Sequence, residues 1–228
     1  MRIYRNCVEA ITDIGREFKK VGSEVHTQTY QNKDISNDDN FKTKEIEAFS
    51  FAILDTSDKA LMPEVTHEWA EAEFAERVSG KDTNPGEAYL LRENVWNEFL
   101  NGDSRFDYTY SERIGTQHQK AIHELLARPE TRQAIIQIHN REIDDKVMGK
   151  KRIPCSMFYQ FLKRDGKLDV IYVMRSTDFF THFQNDIYLA VKMQEYISSF
   201  TEIPVGKFIM FASSLHCYKR DWEKLKNY

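Results

Sequence analysis

The sequence predicts an α/β (α+β) fold in which a mixed β-sheet is flanked by helices. Two observations support this class. Some segments repeat apolar residues at helical spacing, others alternate them as strands do, and the two kinds of segment are interleaved along the chain. The 228 residues, 41% of them hydrophobic, suffice for one sizeable core and require no second domain, so residues 1–228 are expected to form a single domain.

Helical periodicity begins near the N-terminus. Apolar residues recur every three or four positions from Ile3 to Phe18, which predicts a first helix that ends at Gly22. The polar run from His26 to Asn40 predicts a loop of the kind that orders over a ligand. Further helices are predicted over Trp69–Val78, Glu87–Leu100, Thr116–Ala127 and Asp186–Phe200.

Strand periodicity is clearest where Phe49, Phe51 and Ile53 alternate with small residues. Asp165-Gly166 between two apolar runs is typical of a tight hairpin. The predicted strands are Glu47–Leu54, Ala134–His139, Ser156–Leu162, Leu168–Met174 and Phe208–Tyr218.

Charge and cysteine content restrict the class of partner. A net charge of −4 argues against holding a nucleic acid polymer by charge, but a small nucleotide needs only a few local arginines. Charges scattered through residues 1–22 predict neither a signal peptide nor a membrane span, so a cytoplasmic protein is expected. The three cysteines lack metal-ligand spacing, which predicts reduced thiols and neither disulfide nor metal site.

Cys155 is the candidate nucleophile. It stands at the start of a predicted strand, just after the basic run Lys150-Lys151-Arg152. Nearby cations lower the pKa of a thiol and increase its nucleophilic thiolate fraction. Taken alone, a buried structural thiol is the more common role of a free cysteine, and the neighbouring segments decide between the two.

Five segments then occur in a recognisable order: Pro129-Glu130-Thr131-Arg132-Gln133, Pro154-Cys155, Gln160, Arg175-Ser176-Thr177-Asp178 and His216-Cys217-Tyr218. With these motifs the sequence resembles the thymidylate synthase family, and most of all its deoxycytidylate hydroxymethylases. The match covers about half the chain from Pro129 onward. It continues more weakly upstream in the Glu45–Asp55 strand, Asp82-Thr83-Asn84 and Trp96.

The resemblance implies a thymidylate synthase-like fold and a role for each matching residue. Cys155 adds to C6 of the pyrimidine. Arg132, Arg175 and Ser176 hold the 5′-phosphate, and Arg132 reaches the partner subunit, which implies a homodimer formed through the sheet face.

Other matching positions complete the implied site. Gln160, Asp178, His216 and Tyr218 contact the substrate or orient the surroundings of the nucleophile, with a helix cap as the alternative for Asp178. Trp96 contacts the cofactor 5,10-methylenetetrahydrofolate. The general-acid glutamate is assigned to Glu71, with Glu73 as the alternative.

The base is predicted from Asp186, which stands where thymidylate synthases carry the asparagine that reads uracil and hydroxymethylases of deoxycytidylate carry aspartate. An ionised carboxylate only accepts hydrogen bonds, which suits the amine at C4 of cytosine. The alternative is a helix cap.

Departures from the synthase pattern are Gln133 for the second phosphate arginine, Ser156 for the histidine after the cysteine, Ile114-Gly115 for Tyr-Gly, and an end ten residues after Tyr218. Tyr108 or Tyr110 is the candidate replacement for that tyrosine.

These residues predict a homodimeric dCMP 5-hydroxymethylase that uses methylenetetrahydrofolate and water. A thymidylate synthase or uracil-nucleotide (dUMP) hydroxymethylase is the nearest alternative. A CMP hydroxymethylase and a catalytically silent nucleotide-binding relative also remain open.

Overall fold

The computed structural model describes residues 1–21, 24–30, 33–144 and 152–228. The strands of this part are β1 (Arg2–Asn6), β2 (Glu24–His26), β3 (Thr29–Tyr30), β4 (Lys33–Asp34), β5 (Lys42–Asp55), β6 (Ile135–Gln137), β7 (Ser156–Arg164), β8 (Lys167–Asp178) and β9 (Val205–Tyr218). The α-helices are α1 (Cys7–Lys20), α2 (His67–Val78), α3 (Glu93–Trp96), α4 (Tyr110–Ile114), α5 (Gln117–Ala127), α6 (Arg141–Asp144) and α7 (Gln184–Thr201).

The strands form a mixed sheet in the order β1-β5-β9-β8-β7-β6, with β2 paired to the first residues of β5. β8 and β9 run parallel, as do β1 and β5, whereas the other neighbours are antiparallel. β3 and β4 make a separate small hairpin. The predicted mixed sheet with flanking helices is therefore confirmed.

The core lies between one face of this sheet and the helices. Alternating residues of β5, Phe49, Phe51 and Ile53, are buried, as the sequence pattern predicted. α7 packs against β8 and β9 and buries residues almost all round, which a central helix requires. α1 packs against β1 and β5 with Ile11, Ile14 and Phe18 fully buried.

The hairpin between β7 and β8 has the predicted two-residue turn. Arg164 pairs with Lys167, and Asp165 and Gly166 have φ values of 51° and 74°. Positive φ at both central residues suits the right-handed twist of the flanking strands, and Asp-Gly tolerates it. This turn fixes the register of β8 against β7 and so the position of the residues at the end of β8.

Three sequence predictions require correction. Ile3 lies in strand β1, and α1 begins only at Cys7, where the side chain of Asn6 caps the helix by accepting from the backbone N of Glu9. The predicted end at Gly22 lies outside the described residues. The predicted helix over 87–100 is broken into two 3₁₀ turns around the single turn of α3. The predicted strand over 134–139 is shortened to Ile135–Gln137.

The other face of the sheet carries a second set of apolar side chains. Cross-strand neighbours Ile171 and Ile209 form one row, and Val173 and Phe211 form the next. Phe211 is 37% exposed. Within the part of the chain that the structure describes, no helix is long and apolar enough to cross a membrane.

Candidate active site

A cavity of about 510 Å³ opens where β8 and β9 end and β5 begins. Its wall also takes residues from α2, from the segment between α2 and α4, and from the first turn of α7. Eight of the predicted site residues line it: Trp96, Cys155, Arg175, Ser176, Asp178, Asp186, His216 and Tyr218. The structure therefore brings most of the predicted site together.

Cys155 is held at the cavity wall by the end of β8. The backbone N of Arg175 donates to the Cys155 carbonyl at 2.8 Å, and its guanidinium donates to the carbonyls of Ile153 and Pro154, both at 3.0 Å. The Ser176 hydroxyl donates to Cys155 Sγ at 3.7 Å. These bonds fix the thiol beside Arg175 and Ser176, the two residues assigned to phosphate.

The other two cysteines are placed differently. Cys7 and Cys217 are fully buried, and burial raises the pKa of both thiols. Cys155 is half-buried and is the only one of the three to line the cavity. Lys150 and Lys151, expected to activate it, lie outside the described residues.

Parallel pairing of β8 and β9 brings two more motifs into the same wall. Ser176 pairs with Ser214, and Asp178 pairs with His216. Burial lowers the pKa of His216 to about 4, so its imidazole is neutral at neutral pH. Burial also raises the pKa of Tyr218, which keeps its hydroxyl protonated. A neutral imidazole and a phenol can both donate to and accept from sugar hydroxyls.

Asp178 combines a place in the wall with a structural role. Its carboxylate accepts from the backbone N of Phe180 at 3.4 Å and of Thr181 at 3.2 Å, which caps the π-helical turn Phe179–Phe183. Burial raises the pKa of Asp178 to about 6. Asp178 therefore makes the capping contacts of the alternative role and also lines the cavity.

Asp186 is not a helix cap. The helical segment runs without interruption from the Phe179–Phe183 turn into α7, so Asp186 lies inside its first turn. Its Oδ2 accepts from Thr177 Oγ1 at 2.8 Å, and its carboxyl lines the cavity. Burial raises the pKa of Asp186 from 3.8 to about 7, with Thr177 acting in the opposite direction. The site therefore contains a carboxyl group that is partly protonated at neutral pH.

The structure does not support Glu71 as the general acid. The Glu71 carboxylate is half exposed outside the cavity, where it accepts from Tyr188 at 2.6 Å and from Lys192 at 2.7 Å. Glu73 lines the cavity and accepts from Arg77 Nε at 2.8 Å. Two helical residues that are two positions apart point in directions about 200° apart, so only one of them can face the site.

An aromatic wall lies on the α2–α4 side. It consists of Tyr89, Trp96, Phe106 and Tyr108. The Arg152 guanidinium lies over three of these rings, 5.5 Å from the centroids of Trp96 and Tyr108 and 6.0 Å from that of Phe106. Flat aromatic faces of this kind suit stacking with a planar heterocycle.

Both candidates for the missing tyrosine line the cavity, whereas the residues at the tyrosine's own position in the sequence do not. Ile114 is fully buried in the core, and neither it nor Gly115 lines the cavity. Tyr108 and Tyr110 both do. The hydroxyl of Tyr110 accepts from Ser156 Oγ at 3.2 Å, one residue beyond the nucleophile.

Arg132 and Gln160 do not line this cavity. Arg132 is exposed, and Gln160 Nε2 donates to the Arg132 carbonyl at 2.8 Å. Within one chain Gln160 therefore supports the backbone of Arg132, and neither side chain lines the cavity.

Sequence reasoning missed several residues of the wall. Arg77 was detectable, because it follows Glu73 by four positions on a helix, the spacing of an ion pair. Thr177 occupies the variable position of Arg-Ser-x-Asp, and His182 belongs to no motif. No pattern in a single sequence marks Thr177 or His182 as a site residue.

Comparisons with known proteins agree with the fold. The family model described as thymidylate synthase matches residues 4–228. A putative thymidylate synthase of Methanosarcina barkeri is 29% identical over 155 residues, which are 60% of this chain and 70% of that protein. The deoxyuridylate hydroxymethyltransferase of Bacillus phage SP01 is 27% identical over 135 residues, 59% of this chain and 34% of that protein.

A solved structure shows the same architecture. The crystal structure of thymidylate synthase from T4 phage matches with a TM-score of 0.73 and 21% sequence identity, covering 95% of this chain and 78% of that one. The predicted thymidylate synthase-like fold is thus confirmed. With the family model matching nearly the whole sequence, the chain belongs to the thymidylate synthase family.

Proposed function

We propose that residues 1–228 form one catalytic domain of a one-carbon transferase that converts dCMP to 5-hydroxymethyl-dCMP, with methylenetetrahydrofolate and water as the other reactants. The observation that carries the choice of base is the half-buried Asp186 carboxyl in the wall that also contains Cys155. Family membership supports the general reaction, and Asp186 supports cytosine.

The nucleophilic step uses residues at the end of β8. Cys155 sulfur attacks C6 of the ring, and the electron pair of the C5–C6 double bond moves to C5, which becomes nucleophilic. Ser176 Oγ, 3.7 Å from Sγ, orients the thiol. Arg175 and Ser176 bind the 5′-phosphate, because planar guanidinium donors match phosphate oxygens.

Base selection follows from the protonation of Asp186. Cytosine offers an acceptor at N3 and a donor at its C4 amine. A neutral carboxyl can pair with both groups by donating its proton toward N3 and accepting from the amine. Cytosine differs from uracil because its N3 can take up this proton, which leaves a carboxylate that accepts from both N3–H and the amine, whereas the O4 of uracil is an acceptor that a carboxylate repels. A pKa of about 7 makes that neutral form available at neutral pH. Thr177, bonded to Oδ2 at 2.8 Å, fixes the orientation of the carboxyl plane.

The aromatic wall fits the cofactor. When bound, methylenetetrahydrofolate supplies the one-carbon unit, and Trp96 and Tyr108 would hold its planar ring. Glu73 acts as the general acid in place of Glu71, since it faces the cavity. Tyr110 replaces the tyrosine that assists removal of the C5 proton.

A homodimer formed through the outer sheet face completes the phosphate site. The rows containing Ile171, Val173, Ile209 and Phe211 give that face the apolar character of an interface. Arg132 is exposed outside its own cavity, as a residue that serves the partner's site would be.

The test is the substitution Asp186→Asn, with kcat/KM measured for dCMP and dUMP. An amide can accept from uracil N3–H and donate to O4, so the dCMP/dUMP ratio is expected to fall by roughly 10- to 100-fold. The matched control is Asp169→Asn, which changes a buried carboxylate that accepts from the backbone N of Lys207 outside the site. An unchanged ratio in folded Asp186→Asn protein contradicts cytosine reading.

The second candidate function is action on uracil nucleotides. It is favoured by the names of two relatives, a putative thymidylate synthase and a deoxyuridylate hydroxymethyltransferase. If dUMP is the better substrate of the wild-type chain, this candidate replaces dCMP. CMP tests the sugar, and binding of a nucleotide without loss of tritium from C5 identifies a silent relative.

A further inference from the structure

A line of hydrogen bonds runs from the sheet interior to the cavity, behind the nucleophile. Ser156 Oγ donates to the hydroxyl of Tyr110 at 3.2 Å and forms a short hydrogen bond with the hydroxyl of Tyr172. Tyr110 lines the cavity, whereas Ser156 and Tyr172 are fully buried and do not. The buried Tyr172 is thus linked to Tyr110 in the cavity wall through Ser156 alone.

The direction of these bonds follows from the number of protons. A serine hydroxyl has one proton, and here that proton goes to Tyr110, so Ser156 must accept from Tyr172. The oxygen of Tyr110 therefore receives a donor from the protein, and its own proton remains available to the cavity.

The sheet holds this line rigidly. Tyr172 pairs with Tyr159 across β7 and β8, and their rings stack with centroids 4.4 Å apart and planes 2° apart. Arg77 Nη1 donates to the hydroxyl of Tyr159 at 3.3 Å, and its guanidinium lies 4.1 Å from the centroid of the Tyr110 ring. Arg77 is in turn paired with Glu73.

Opposing effects act on Tyr110. Burial raises its pKa well above the usual value, and Tyr108, Cys155 and Asp186 act in the same direction, whereas Arg77 lowers it. A donor at the phenol oxygen stabilises negative charge there, as does a cation over the ring. Both features oppose the effect of burial on charge development at this oxygen.

We infer that Tyr172 and Ser156 are positioning residues that hold the Tyr110 hydroxyl for removal of the proton at C5, an inference that rests on the proposed function. In that step the C5–H bond of the Cys155 adduct breaks. Its proton passes to a water molecule bound at the Tyr110 hydroxyl. Its electron pair stays on C5, delocalised toward C4 of the ring. Ser156 and Tyr172 thereby fix the position of the Tyr110 oxygen that binds this water molecule.

The experiment compares Tyr172→Phe with the matched control Tyr188→Phe, which removes a tyrosine hydroxyl bonded to Glu71 outside the cavity. The first readout is the carbon-13 chemical shift of the Tyr110 phenol carbon, assigned from Tyr110→Phe, because this shift responds to hydrogen bonding at the oxygen. It is expected to change in Tyr172→Phe and to stay unchanged in Tyr188→Phe.

The second readout is tritium release from C5-labelled nucleotide. Tyr172→Phe is expected to slow release about tenfold, the effect of one lost hydrogen bond, and to leave the nucleotide Kd within about twofold. A larger isotope effect with C5-deuterated substrate should accompany the slower release. Ser156→Ala breaks the same line from its other end and provides the test if Tyr172→Phe does not fold.

Three outcomes overturn the inference. They are an unchanged Tyr110 shift in both Tyr172→Phe and Ser156→Ala, unchanged tritium release in these variants, and equal slowing in Tyr188→Phe. If the wild-type chain releases no tritium, the proposed function fails. The Tyr110 shift then still decides whether Tyr172 holds this hydroxyl.

Discussion

The raised pKa of Asp186 makes a prediction about stability that needs no substrate. Burial raises this pKa from 3.8 to about 7, so ionising the carboxyl in the folded chain is unfavourable. In the wild-type protein the neutral carboxyl makes its full contribution to the free energy of unfolding below the pKa of the unfolded chain. This contribution is lost as pH rises through 7. Three pKa units at 1.36 kcal/mol each correspond to about 4 kcal/mol lost above pH 7.

Asp186→Asn removes this dependence, since an amide does not titrate and can still accept from Thr177. The assay is urea unfolding followed by tryptophan fluorescence at pH 5 and pH 8. Between these values the free energy of unfolding of the variant should rise relative to wild type by about 3 kcal/mol. A relative change below about 0.5 kcal/mol would mean that Asp186 ionises near its ordinary pKa, and the neutral-carboxyl account of cytosine reading would be refuted.

Three further experiments test the assigned roles. Cys155→Ser should reduce tritium release roughly a thousandfold or more and spare nucleotide binding, whereas Cys217→Ser should retain activity; equal losses would indicate folding damage. Glu73→Gln should lower kcat about 100-fold and Glu71→Gln should change it little, and the reverse order would restore the original assignment. Mixing inactive Cys155→Ser and Arg132→Glu subunits should recover roughly a quarter of wild-type activity, because half the dimers are mixed and each has one intact site. No recovery after verified subunit exchange contradicts a shared site.

Much of the sheet was predictable because strand alternation and turn chemistry are local signals. Phe49, Phe51 and Ile53 alternate as required, and Asp165-Gly166 can adopt the positive φ values of the turn. Strand β1 was missed because Ile3 and Cys7 are four residues apart, a spacing that also fits a helix. Its pairing with β5, which is distant in sequence, decides the conformation.

Site residues that belong to sequence motifs were predictable, whereas those whose position depends on packing between distant elements were not. The Cys155, Arg175 and His216 segments converge in one cavity, as their order predicted. The choice between Glu71 and Glu73 depended on the rotation of α2, which follows from packing against α7. The contact between Thr177 and Asp186 likewise joins a strand end to a helix turn, and no spacing rule shows it.

The most direct test of the central claim is product analysis of the wild-type chain. The protein is incubated with methylenetetrahydrofolate in oxygen-18 water, separately with dCMP, CMP, dUMP and UMP, and the products are identified by mass spectrometry. We expect 5-hydroxymethyl-dCMP that carries oxygen-18 in its hydroxymethyl group, with dCMP turned over faster than dUMP. A methylated uracil nucleotide from dUMP, with no product from dCMP, would contradict it.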